Sequence, residues 1–177
     1  MTPDACVLMA RYNQWMNSRT YAAAAQLDRD ALHRDRGAFF GSLFDTLNHI
    51  AVADLIWLQR FSSCQGLAPL RTALAHLPSP TSLRQPLATE LPGLAALRSQ
   101  LDGVISDMAS RIDAPLLATT LTYRNTAGQP QARNFGQLLL HFFNHQTHHR
   151  GQASTLLFQA GIDIGVTDLV ALLPDQA

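Results

Sequence analysis

The chain is 177 residues long, the size of one domain (residues 1–177), and its thirteen basic and thirteen acidic side chains leave no net charge. Hydrophobic residues make up 47% and charged residues only 15%, a mix that builds a substantial core and excludes a disordered chain. Every base is an Arg and Glu90 is the one glutamate, which excludes a lysine phosphate clamp, a lysine Schiff base and a four-glutamate di-iron centre.

Asp4–Gln26 reads as a helix, with Val7, Leu8, Tyr12, Trp15 and Met16 returning at helical spacing. Asp28–Gly37 is a polar connection with room for a short turn. Leu43, Leu47, Ile50, Leu55 and Leu58 mark a second helix over Phe40–Ser63. Pro69, Pro78, Pro80 and Pro86 break Gly66–Pro86, which reads as a long connection crossing the length of a bundle. A third helix is predicted over Leu87–Ile112, with Pro92 near its start. In Thr119–Ala132, Leu121 and Tyr123 alternate with Thr before turn residues Asn125–Gly128, which predicts a β-hairpin. Phe135–Ala160 is the fourth long helix, ended by Gly161, and Thr167–Leu173 is a short fifth one. The fold class is therefore all-α: a four-helix bundle with a crossover, a small hairpin before the fourth helix and a short C-terminal helix.

Cys6 and Cys64 form neither a CxxC pair nor a framework of bridges, as expected of a reduced compartment. The N-terminus shows no basic segment leading into an apolar one, and no apolar run approaches about 18 residues. Scattered Arg and a neutral charge leave no footprint for nucleic acid. The expectation is a cytoplasmic protein with neither a membrane nor a nucleic-acid partner.

Chemistry concentrates in the fourth helix, where His141, His145, His148 and His149 fall within nine residues. His145 and His149 lie about 40° apart on one face, their Cβ atoms about 5–6 Å apart, so two imidazoles can converge on one ion. Leu138 and Leu156 fall on the same line, which turns the pair inward. His148 lies about 80° away, at the rim, and His141 about 60° away, where it either supports the pair or packs. A zinc-protease helix needs Glu directly after the first His, and here that position is Gln146. His49, mid-helix among apolar residues, is the natural third ligand, although taken alone it fits a core histidine bonded to a carbonyl better. Asp54, about 140° from His49, suits an Arg partner better than a ligand. Trp15 and Trp57 read as core. Gly151, costly in mid-helix by about 1 kcal/mol against Ala, suggests close approach of another backbone. Gln152 lies within the ligand arc, able either to hold a water or to bridge helices, and Tyr123 is placed to overhang the site.

Three stretches carry a resemblance across almost the whole chain: Arg11-Tyr-Asn-Gln-Trp15; Thr46-Leu-Asn-His-Ile50 with Asp54 and Trp57; and Asn144-His-Gln-Thr-His-His-Arg-Gly-Gln152. The last matches an Asn-His-x-x-x-His-Arg-Gly-Gln pattern, and Thr167-Asp168-Leu169 adds to it. In these the chain resembles the DinB-like family of metal-dependent bundle proteins. The resemblance implies an up-down-down-up bundle, often a homodimer, binding one divalent metal through His49, His145 and His149. His148 falls at a variable position of the pattern.

Three imidazoles leave at least one coordination position for water or substrate, and they suit Zn, Ni, Fe or Cu, of which Zn and then Ni are preferred here. Relatives with assigned chemistry are thiol-dependent S-transferases and an isomerase, so the resemblance implies a metal-dependent transferase acting on a small molecule. A low-molecular-weight thiol would be the cosubstrate. The competing expectation is a non-catalytic, dimeric metal- or ligand-binding protein of the stress response, because neither a convincing nucleophile nor a Glu base stands beside the ligands.

Overall fold

The computed structural model describes residues 1–175. It is mostly helical, with one two-stranded antiparallel hairpin. Helix α1 spans Pro3–Ala24, and the one-turn α2 spans Arg29–His33. Helix α3 runs Leu43–Phe61, α4 Ala68–Leu74, α5 Leu91–Ala109, α6 Ala114–Leu117 and α7 Phe135–Gln159. Strands β1 (Thr120–Arg124) and β2 (Pro130–Asn134) separate α6 from α7.

Local chemistry sets these boundaries. The Thr2 hydroxyl accepts from the Ala5 amide at the start of α1, and the Ser42 hydroxyl accepts from the Asp45 amide at the start of α3. Asn134 starts α7: its Oδ1 accepts from the Gln137 amide at 2.9 Å, and its Nδ2 donates to the Leu117 carbonyl at 3.1 Å. That residue therefore ties the hairpin exit to α6. The third long helix begins at Leu91 rather than Leu87, with Pro92 in its first turn, where a missing amide costs nothing.

The proline-rich stretch is not wholly irregular. A 3-10 turn at Gln65–Leu67 leads into α4, whose Pro69 again sits in the first turn. Irregular chain then follows to Glu90, and Asn48 of α3 fastens it. Asn48 Nδ2 donates to the Gln85 carbonyl at 2.9 Å, and the Leu87 amide donates to Asn48 Oδ1 at 2.8 Å. The C-terminal helix expected over Thr167–Leu173 is instead a 3-10 turn at Leu169–Leu172. Unlike α6, which Asp113 caps and Leu117 anchors in the core, this turn has no side-chain cap and no buried residue to hold a longer helix.

Helix α1 packs against α5 and α7, and α3 packs against the same two. Leu47, Leu55, Leu58 and Phe61 from α3 meet Leu94, Leu101 and Ile105 from α5, with Phe135, Leu139 and Phe142 from α7, in one fully buried core. The hairpin pairs Thr120 with Asn134 and Tyr123 with Gln131, and Gly128, at φ 76°, closes its turn. Two strands alone are marginal in water. Leu121, buried in the core, anchors this pair.

Candidate metal centre

The middle of α3 supplies His49, and the middle of α7 supplies His145 and His149. One nitrogen from each ring lies within 4.8 Å of the other two. The closest pair, His49 Nε2 and His145 Nε2, are 3.3 Å apart. Zn–N bonds of about 2.0–2.1 Å at tetrahedral angles hold nitrogens about 3.3 Å from one another, so this spacing fits a shared ion.

Hydrogen bonds on the far sides of the rings fix which nitrogens face inward. His49 Nδ1 lies 3.1 Å from the Leu83 carbonyl, which can only accept, so the proton is on Nδ1 and Nε2 presents a lone pair. His149 Nδ1 donates to Gln152 Oε1 at 2.7 Å, and Gln152 Nε2 faces His148 Nε2 at 3.3 Å. Outer hydrogen bonds of this kind orient metal-binding imidazoles and raise their basicity. Phe40 stacks on His49 with ring centres 3.9 Å apart. The chain turns to deliver it through Gly41, whose φ of 83° suits glycine.

The environment holds the rings neutral. Burial lowers His145 to about 3 from an ordinary 6.5, and the neighbouring His149 and His49 add to the shift. Burial also lowers His49 and His149, although the contacts to Leu83 and Gln152 oppose this. Neutral imidazole is the form that binds a cation.

The histidines open onto a cavity of about 440 Å³. Ile56 and Trp57 of α3 form one wall, Phe39 and Phe40 another, and His141 extends the α7 side. His141 contacts Trp57 at 5.2 Å between ring centres and His145 at 6.0 Å. Burial, with the Arg60 charge second, lowers its pKa. Trp57, expected in the core, is half-buried and lines the cavity, because α3 presents it toward the hairpin rather than toward α5. Tyr123 stands behind it, 5.5 Å from Trp57 between ring centres, with Arg60 4.9 Å over its ring. Arg60 and Arg84 also line the cavity. Scattered Arg residues carry no spacing signal, so nothing in the sequence marked this pair; Phe40, read there as the start of the second helix, in fact precedes α3, which begins at Leu43.

Asn13, Asp54, Gln146 and Arg150 belong to a second, internal cluster. Asp54 Oδ2 accepts from Arg98 Nη1 at 2.5 Å, and Asp54 Oδ1 accepts from Gln146 Nε2 at 2.9 Å. Arg98 also pairs with Asp102 at 3.1 Å, and Asn17 donates to Asp102 at 2.8 Å. Arg150 donates to Asn13, closing the cluster against α1. Burial raises the Asp54 carboxyl above its usual range, with Arg98 pulling the other way. Gln146, fully buried, therefore faces this cluster and not the cavity. Gly151 has open space where a Cβ would stand, so no backbone approaches it. The close approach is at Gly136, where a Cβ would lie 3.0 Å from the Leu117 carbonyl.

The DinB family profile matches residues 1–175. The chain belongs to the DinB family. It is similar to Protein DinB of Bacillus subtilis (strain 168), with 24% identity over 165 residues, covering 93% of this chain and 91% of that protein. No solved structure matches at a comparable level. Residues of the three sequence stretches described above fall into both clusters: His49, His145 and His149 into the first, and Asn13, Asp54, Gln146 and Arg150 into the second. No helix among the described residues is long and apolar enough to cross a membrane.

Proposed function

We propose that this DinB-family protein is a metal-dependent small-molecule transferase that holds one divalent ion, Zn or Ni, at His49, His145 and His149. The observation that carries this reading is the convergence of three neutral imidazoles, two with their lone pairs turned inward by outer hydrogen bonds, beside a cavity of about 440 Å³. Such volumes accommodate small molecules. A divalent ion there would make a thiol or water more acidic at the position the protein leaves open. The chain's own residues would do the rest. His49, anchored by Leu83, and His149, anchored by Gln152, keep their orientation; Phe40 excludes water from one side; Trp57 and Ile56 supply an apolar bed.

The test is a thiol-transfer assay with metal-loaded protein and a series of electrophiles. Turnover abolished by a chelator supports the transferase. One observation favours a non-catalytic, ligand-holding protein instead: no carboxylate, Ser or Cys lines the cavity, and both cysteines are buried elsewhere. Saturable binding without turnover would favour that reading.

The reading extends to architecture and assembly. The four long helices are taken as an up-down-down-up bundle, supported by the packing of α1 and α3 each against α5 and α7. A homodimer is supported by exposed Phe158, Val166 and Val170 near the end of the chain. Sedimentation as monomer alone at micromolar concentration contradicts it. Cytoplasmic residence is part of the same proposal.

A further inference from the structure

Two guanidinium groups on the cavity wall have no acidic partner. The ion pairs among the described residues engage Arg29 and Arg98 only. Arg60 is half-buried, 4.7 Å over the Trp57 ring and 4.9 Å over Tyr123, and its side chain makes no hydrogen bond among the described residues. Arg84 lies 5.3 Å over Phe40 and uses one donor, to the Phe39 carbonyl at 3.3 Å. A guanidinium carries five donors in a rigid fork, so most of this capacity is unspent. Stacking on aromatic faces fixes each group in place without neutralising it.

The rest of the cavity offers nothing to balance these charges. Among the described residues, no Asp or Glu lines it. Asp45 lines a smaller adjoining cleft that Phe40, His49 and Arg84 also line, but it makes no ion pair with Arg84 and accepts instead from the Ser42 hydroxyl at 2.6 Å. The two Arg come from different elements, Arg60 from α3 beside Trp57 and the hairpin's Tyr123, and Arg84 from the connection before α5, beside Phe39 and Phe40. Arg84 directly follows Leu83, whose carbonyl holds His49. The aromatic and aliphatic walls between them suit a flat apolar body.

We propose that this cavity binds a small organic carboxylate with a flat apolar body, and that Arg60 and Arg84 receive its charge. The proposal deepens the metal-dependent reading, and it rests on that reading only for what becomes of the bound molecule. Capture of the anion needs only the two Arg and the aromatic walls. Arg is suited to the task because its fork matches a planar carboxylate by two parallel bonds.

The test uses phenylacetate and its neutral isostere phenylacetamide, titrated into metal-free and Zn-treated protein, with Trp57 fluorescence as the signal in a Trp15→Phe background. In metal-free protein phenylacetate binds about tenfold or more tighter than phenylacetamide, as charge-assisted bonds to Arg require. Arg60→Gln and Arg84→Gln each weaken phenylacetate severalfold and leave phenylacetamide unchanged, while Arg60→Lys and Arg84→Lys restore part of the loss. Circular dichroism of each variant checks that the fold is intact. Equal affinity for the two probes overturns the proposal. So does an equal effect of the Gln variants on both, or no saturable binding of phenylacetate at millimolar concentration. If the preference is present but no Zn binds, the carboxylate site stands and the transferase reading falls.

Discussion

Helices α3 and α7 each carry polar side chains on two faces, and the two faces treat them in opposite ways. On one face, the Asp54 carboxylate accepts from Arg98 and from Gln146 Nε2, inside the core. On the other, His49, His145 and His149 use one side of each ring for packing or anchoring and leave nitrogens facing one another beside an open cavity. Polar atoms whose partners are all internal specify the fold. Polar atoms anchored from behind and left free in front are built to meet something else. The stretch Asn144–Gln152 contains both kinds, so its sequence pattern alone does not separate a ligand from a strut.

Substitutions can break this division. The largest effect is expected at Asp54→Ala, which strands Arg98 in the core beside Asp102 alone. Removing one partner of a buried pair costs about 3–5 kcal/mol, and urea denaturation reads it directly. The fraction that remains folded should keep its metal. A loss of metal without a loss of stability would show that Asp54 serves the histidine face.

Asn48→Ala is expected to cost less, about 1–3 kcal/mol, because it frees the Gln85 carbonyl and the Leu87 amide on a partly exposed connection. It should also weaken metal affinity, since the segment it releases carries the Leu83 carbonyl that holds His49. Unchanged affinity, measured by competition with a chromophoric chelator, would sever that link.

Acid should discriminate the two faces as well. His145 is depressed from 6.5 to about 3, so below the higher value the unfolded chain takes up a proton that the native chain refuses. Stability is therefore complete above about pH 6.5 and is lost progressively as pH falls from there toward 3. In metal-free protein, melting temperatures measured across this window should decline less steeply for His145→Ala than for the wild type. Parallel slopes would mean that His145 is not held neutral. The smallest effect is expected at His148→Ala. That ring is exposed and touches only Gln152 and the edge of His149, so metal content measured by elemental analysis should change little. A loss as large as at His149 would reverse the assignment of the helix face.

The sequence made some of this legible and hid the rest for physical reasons. Helical spacing identified the long helices, and the His145–His149 interval gave a shared face because 3.6 residues per turn leaves little freedom there. The preference of Asp54 for an Arg followed from its angle to His49, but which Arg did not, because Arg98 arrives from another helix across 44 positions. The short helix α4 hid among prolines that break a helix in its interior yet are accepted in its first turn. Trp57 packs against the core as its spacing suggests but also lines the cavity, because helical periodicity says which face a residue occupies, not how fully that face is covered. Gly151 misled in the same way: a glycine in mid-helix signals either a close approach or nothing, and here it faces open space.

The central claim is that three histidines from α3 and α7 hold one divalent ion. Elemental analysis of untagged protein tests it most directly, run beside His145→Ala with helicity monitored. One Zn or Ni per chain is expected in the wild type, and none in a variant that keeps its helical content. A wild type that takes up no metal, or a folded His145→Ala protein that retains a full equivalent, would contradict it.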